Sequence, residues 1–338
     1  MLLNVLLFAL ILAGTLYGVF HGQDLGALKE ALAECRPGWL FLAAMCVVVS
    51  ISGEGMGEWL QLNSFGMSPG GGACLLSACV GFFFSSITPS STGGQPMQVY
   101  YMRQKGIPVS VTSVVLLVVS VCYKIVLVIT ALGLLLFGNG FLRESLGNMM
   151  FLFYIGVVVT VVWTTFLLFL IFRQHTARSI LVWLMSVLEE LHILKNRESI
   201  QESFEVSMDM YSDTADHLKK HPSVLVEVFI AMVVRRVAQY SVAWCVYRAM
   251  GLTGTGWFII VLGQAVIGLC ADMLPLPGGM GISEALFVRV CASSFGDAAL
   301  PGMILTRGIG HYSQLILCGA AALLALFFVS RRKQETVE

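Results

Sequence analysis

Four basic residues stand inside stretches that are otherwise almost wholly apolar: Lys124 in VVSVCYKIVLVITAL, the adjacent Arg235 and Arg236 in AMVVRRVAQYSVAW, and Arg307 in MILTRGIGHYS. On insertion scales a central Lys or Arg costs roughly 2.5–3.5 kcal/mol, so the adjacent arginines alone imply a penalty on the order of 5–7 kcal/mol. Apolar packing does not select such residues. An anion or water must face them. The chain's own candidates are Glu54, Glu58, Asp272 and Glu284. In one reading these acids pair with the bases and hold helices together. In the other, the bases also receive a phosphate, to which Arg offers two parallel donors. Gln95, Gln98 and Glu284 are then candidates for neutral or cationic groups of the same ligand.

These charges are set around two breaks. Residues 86–99 read SITPSSTGGQPMQV and residues 271–284 read ADMLPLPGGMGISE, each a Pro/Gly interruption of apolar sequence. Displacing the chain by 185 residues puts Gly93 and Gly94 on Gly278 and Gly279, Trp59 on Trp244, Gly66 on Gly251, and Gly71 on Gly256. Duplication explains this, and paired breaks at matching positions of two halves point to a binding site in the bilayer. Lys124 lies 30 residues after Gly94 and Arg307 lies 28 after Gly279, so each break is followed by a span with a cation at similar depth. Pro96 suits a first helical position, and Ser283 or Gly281 suits an N-cap before EALFVRV. Helix N-termini there would aim N–H groups into a cavity.

Composition sets the class. The 338 residues are 57% hydrophobic and 12% charged, with zero net charge, against roughly 25% charged in soluble domains. That excludes a nucleic-acid binder with a basic face. Nine cysteines form no CxxC, and no HExxH, P-loop or GxSxG is present, so no catalytic residue, cofactor or metal site is expected. His217 and His221 with Asp213 have a ligand-like spacing but read as a solvated linker helix, and His311 as a ring lining a span.

The sequence therefore predicts an all-α polytopic membrane protein with six full spans plus two re-entrant, broken hairpins arranged as inverted repeats. The N-terminal half covers 1–172 with a hairpin at 72–102, and an amphipathic cytoplasmic linker covers 173–221. The C-terminal half covers 222–330 with a hairpin at 256–292, followed by a basic cytoplasmic tail, 331–338. Spans are expected at about 1–20, 39–62, 108–137, 149–172, 223–249 and 303–329. Re-entry puts Arg103, Lys105 and the linker and tail bases on one side, with Lys29, Arg36 and Arg143 opposite. The positive-inside bias then makes both termini cytoplasmic. Non-helical backbone at that depth implies a central polar cavity.

The run ITPSSTGGQPMQVYYMRQKGIP, with PLPGGMGISEALF and a base in each following span, resembles the flippase-type transmembrane domain of lysylphosphatidylglycerol synthases. The resemblance covers about 1–330. It implies a bacterial inner-membrane protein that moves or binds an anionic or aminoacylated phospholipid and is linked to resistance against cationic antimicrobial peptides. It points to Pro89, Gly93, Gly94 and Pro96, to Pro275, Pro277, Gly278, Gly279, Gly281 and Glu284, and to Arg307. It also points to Lys124, where relatives commonly have Arg. Full-length synthases add a soluble domain that transfers lysine from tRNA to lipid, which is not expected here. The alternatives are a membrane component acting with a separate soluble or membrane transferase, with Asp272 or Glu284 as base, and a scaffold for partner proteins. In a transporter, Glu284 or Asp272 could instead serve a proton-linked cycle.

Overall fold

The computed structural model describes residues 33–88, 91–173, 197–272, 279 and 281–335. The expected first span, the linker before Arg197, and Pro89, Pro275, Pro277 and Gly278 lie outside them. The described residues form helices and no strand: α1 Pro37–Ser64, α2 Gly71–Ile87, α3 Gly94–Gln104, α4 Val109–Phe137, α5 Asn139–Leu146 and α6 Met150–Phe172. They continue with α7 Arg197–Lys220, α8 Pro222–Ala249, α9 Trp257–Ala271, α10 Ile282–Val290, α11 Ala299–Arg307, a π-helical turn Gly308–Tyr312, and α12 Ser313–Glu335.

Four described stretches are long and apolar enough to cross a bilayer: Pro37–Ser64, Val109–Phe137, Gly140–Ile171 and Ala292–Ala325. On α6, Val158, Val162, Trp163 and Phe169 are exposed on a helix that carries no charge, as a lipid-facing span requires. The chain is a helical, multi-pass membrane protein. α8 matches α1 in length, 28 residues each, but carries Glu227, Arg235, Arg236 and Arg248. The expected last span begins earlier than 303, at Ala299, and is interrupted by the π turn directly after Arg307.

α1 and α8 correspond in detail. Both begin at a proline, which at the first position loses no intrahelical hydrogen bond. Both ends differ by the same 185 residues. After α1, Gly66 at φ 71° donates its N–H to the Asn63 carbonyl and Met67 donates to Leu62. After α8, Gly251 at φ 77° donates to Arg248 and Leu252 to Tyr247. These are the same Schellman bonds, each needing a glycine for the left-handed residue.

The two helices form the most extensive helix pair of the described residues, and they run antiparallel. Trp39 meets Trp244 edge to face at 5.1 Å, and Gly57 faces Val228 and Met232. Close approach comes from Gly53, where a Cβ would lie 2.9 Å from Arg235 Cβ and 3.2 Å from the Ala231 carbonyl.

The hairpin arms are short. α2 has 17 residues and α9 has 15. At about 1.5 Å per residue neither reaches across a hydrocarbon core of about 30 Å. At the first turn the Thr88 hydroxyl accepts the Gly93 N–H at 2.9 Å and donates to the Phe84 carbonyl at 2.6 Å. A Cβ on Gly93 would sit 2.6 Å from Thr88 Cγ2, and one on Gly94 2.6 Å from the Gly81 carbonyl, so both glycines serve close approach. Pro96 stands third in α3 rather than first, where its missing N–H still costs nothing. In the second hairpin Gly281, at φ 84°, is the residue before α10, and Ser283 falls inside the helix.

The last helices are exchanged between the halves. α12 packs on α2 of the first hairpin, through the cluster holding Phe83, Leu315 and Cys318. α4 lies against the second hairpin, where Leu127 and Leu134 share a core with Val266, Leu286 and Phe287. In α7, burial and the stacked His221 hold the His217 imidazole below the usual histidine range, and it packs as a neutral ring on Phe65. Asp213 is exposed, and the described residues contain no cluster able to hold a metal.

Gly53→Val is expected to lower the midpoint of thermal unfolding in detergent, an overpacking cost of about 1–3 kcal/mol. Gly133→Ala, with nothing within 4 Å of the new Cβ, should leave it unchanged or raise it.

Candidate functional site

Three of the four bases find a carboxylate. Arg235 on α8 pairs with Glu54 on α1 at 2.7 Å. Lys124 on α4 pairs with Asp272, which caps the end of α9. Arg307, the last residue of α11, donates through Nε to Glu284 on α10 at 2.8 Å, and the Tyr312 hydroxyl reaches the same oxygen at 3.4 Å. Two of these pairs join the halves and the third lies within the C-terminal half. Ser50 donates to Gln239 at 2.9 Å, again across α1 and α8.

Arg236 differs. Among the described residues no carboxylate lies within ion-pair distance of it. It hydrogen-bonds the Tyr123 hydroxyl, stands 3.9 Å from that ring's centroid, and lies 5.3 Å from the centre of Tyr240. Aromatic faces stabilise a cation without neutralising it.

Arg236 lines a cleft of about 170 Å³ together with Gln239, Tyr240, Gln264, Thr306 and Arg307. α8 and α9 form its walls, with Ser283 of α10, α11, and Gly310 and His311 of the π turn. A cavity between the halves is the sequence expectation. The residues lining this cleft all belong to the C-terminal half, and the N-terminal half touches them through Tyr123 at Arg236, Ser50 at Gln239 and Phe82 at His311. Arg236 Nε, Tyr240 OH and Thr306 Oγ1 are buried and without a hydrogen-bond partner. A buried polar group left unpaired costs about 1–3 kcal/mol, so three around one cleft mark a place built for something polar.

The remaining candidates have other work. Gln98, 3% exposed, donates to Glu58 at 2.9 Å and Glu54 at 3.2 Å and is unavailable to a ligand in this arrangement. Gln95 bonds Ser120 at 2.7 Å. Gly93, Gly94, Gly279 and Gly281 shape backbone.

Sequence reasoning missed Tyr123, Gln239 and Gln264. A signal for the first two existed. Gln239 and Tyr240 lie one turn after Arg235 and Arg236, and Tyr123 adjoins Lys124, so the polar stripe on α8 extends beyond its charges. Gln264 had none, being one amide in an apolar helix.

Residues 1–334 match the family model described as "Lysylphosphatidylglycerol synthase TM region". The chain is also 24% identical over 204 residues to a UPF0104 membrane protein of Archaeoglobus fulgidus, covering 60% of each chain. It thus spans well under two thirds of that curated relative's length. With the match running through nearly every described helix, the chain belongs to the lysylphosphatidylglycerol synthase transmembrane-region family.

Proposed function

We propose that the protein is a lipid translocase that holds the phosphate of an anionic or aminoacylated phospholipid in the cleft at Arg236 and passes it across the bilayer. The observation that carries this is a cleft lined by Arg236, Tyr240 and Thr306, each with a buried polar atom that has no hydrogen-bond partner. A volume of about 170 Å³ suits a compact headgroup rather than acyl chains, since drug-sized ligands occupy roughly 300–1,000 Å³. The tails then remain in the bilayer. The family description, which names a phospholipid, favours the same ligand class.

The antiparallel α1–α8 pair supports the reading of inverted repeats. Under the 185-residue displacement, Ser50 corresponds to Arg235 and Glu54 to Gln239. The contacts Ser50–Gln239 and Glu54–Arg235 therefore map onto each other, which is the signature of a two-fold interface. With six spans and two hairpins entering from opposite faces, both termini lie on the cytoplasmic side of a bacterial inner membrane. The halves rock about α1–α8, and the cross-half pairs Arg235–Glu54 and Lys124–Asp272 break and reform.

Native mass spectrometry of the gently purified protein should show a bound phospholipid, with affinity reduced about tenfold or more in Arg236→Ala, the loss of a charge-assisted hydrogen bond. Arg236→Lys should recover only part, lacking the forked donors. Equal lipid retention by all three proteins would remove the site. In proteoliposomes the labelled lipid should change leaflet unaltered, whereas a new lipid species would favour the transferase reading.

Lys124→Ala should lower the unfolding midpoint by several degrees and Lys124→Ala/Asp272→Ala by less, because the single variant strands a charge. The double variant should change the translocation rate while keeping the lipid.

A further inference from the structure

A second polar centre, apart from the cleft, lies between α1 and the first hairpin. Glu58 is 1% exposed, and one of its oxygens, Oε2, has no hydrogen-bond partner. Its other oxygen accepts from Gln98 at 2.9 Å, and the same amide nitrogen reaches Glu54 at 3.2 Å. The Glu54 carboxylate is already committed to Arg235. Two carboxyl groups thus share one amide and one guanidinium.

Among the described residues, the groups facing Glu58 come from α1, α2, α3, α4 and α8. α1 supplies Glu54 and Gln61, whose NH₂ is spent on the Gly57 and Val115 carbonyls at 3.0 and 3.3 Å. α2 supplies Ser77 beside the carboxyl and Cys74. α3 supplies Gln98 and Tyr101, and α8 supplies Arg235. α4 contributes the Val119 side chain at Gly57. Arg235 is the one cation among them. Ser77, fully buried, also has a hydroxyl without a partner.

A second ionised carboxylate here would be a charge in low dielectric with no counter-charge, which proteins avoid by neutralising the group. One hydrogen on Glu58 removes the excess charge, and the Ser77 hydroxyl lies beside the same carboxyl. Asp272 and Glu284, the acids favoured from sequence for such a role, are each matched to a base.

We propose that Glu58 is a proton-binding site, and that lipid movement is coupled to the uptake of this proton from one side of the membrane and its release to the other. The coupling rests on the translocase reading above; the bound proton does not. Glu58 is sealed in the present arrangement, so the exchange requires the α2–α3 hairpin to withdraw Gln98 and Ser77. Gln98 lies directly over Gly81, where a Cβ would meet its amide carbon at 2.3 Å, so this lid fits only against glycine.

The test has two arms. Infrared difference spectra of the purified protein in lipid nanodiscs at neutral pH, wild type minus Glu58→Gln, should contain the carbonyl stretch of a protonated carboxyl. Ser77→Ala, which removes no charge, should shift that band and keeps the test open if Glu58→Gln does not fold. A difference spectrum with carboxylate bands alone overturns the proton site. In proteoliposomes with fluorescent phosphatidylglycerol, a gradient of about one pH unit, tenfold in proton activity, should change the wild-type rate several-fold between its two directions. Glu58→Gln should show no difference between them. A wild-type rate that ignores the pH gradient, or follows a sodium gradient instead, overturns the coupling. Absence of any lipid movement overturns transport and coupling together, while the infrared band still decides the proton site.

Discussion

Everything in this fold depends on the close approach of α1 and α8 at Gly53. With no side chain there, the two backbones come near enough for Glu54 to meet Arg235 and Ser50 to meet Gln239. A larger residue would hold the helices apart and leave both charges facing hydrocarbon, where each is costly. The contact also sets the rotation of α8 about its axis. Successive residues on a helix are about 100° apart, so once Arg235 points at α1, Arg236 must point elsewhere, toward Tyr240 and the cleft. One glycine contact therefore decides which arginine is spent on structure and which is left for a ligand.

The pattern of charges follows the same division of labour. Lys124, Arg235 and Arg307 each sit against a carboxylate, and pairs of that kind contribute more to the definition of an arrangement than to its stability. Arg236 is held by aromatic rings, which orient a guanidinium without forming an ion pair with it. The π turn after Arg307 belongs to this region as well. It places Gly310 and His311 on the rim of the cleft, and such turns recur where a helix is bent to serve a site.

Much of the architecture was legible in the sequence because it rests on local rules. The 185-residue displacement found the corresponding helices, and the Gly66 and Gly251 terminators are the same device used twice. The first Pro/Gly break marked a turn where Gly93 and Gly94 allow close packing, whereas Pro275, Pro277 and Gly278 of the second lie outside the described residues. Partner choice was not legible. Which acid meets which base depends on how helices distant in sequence are rotated and paired, so Arg235 and Arg236 looked equivalent when they are not. Pro96 stands two positions inside its helix rather than first, and of the two caps offered for the second break the structure uses Gly281 and not Ser283, because the starting residue depends on the turn before it. The cleft at Arg236 takes its walls from α8 to α11 and the turn after Arg307, an assembly that no local pattern specifies.

The exchange of the final helices has a consequence for how the chain comes to exist. α2 of the first hairpin is covered by α12, which is made long after it, so this neighbour is missing while the helices between them are synthesised. Open backbone carbonyls and amides are poorly tolerated among lipid tails. Until α12 arrives, the face of α2 that it covers needs another partner. The first half is thus completed by a helix of the second, so the two halves cannot finish folding one after the other.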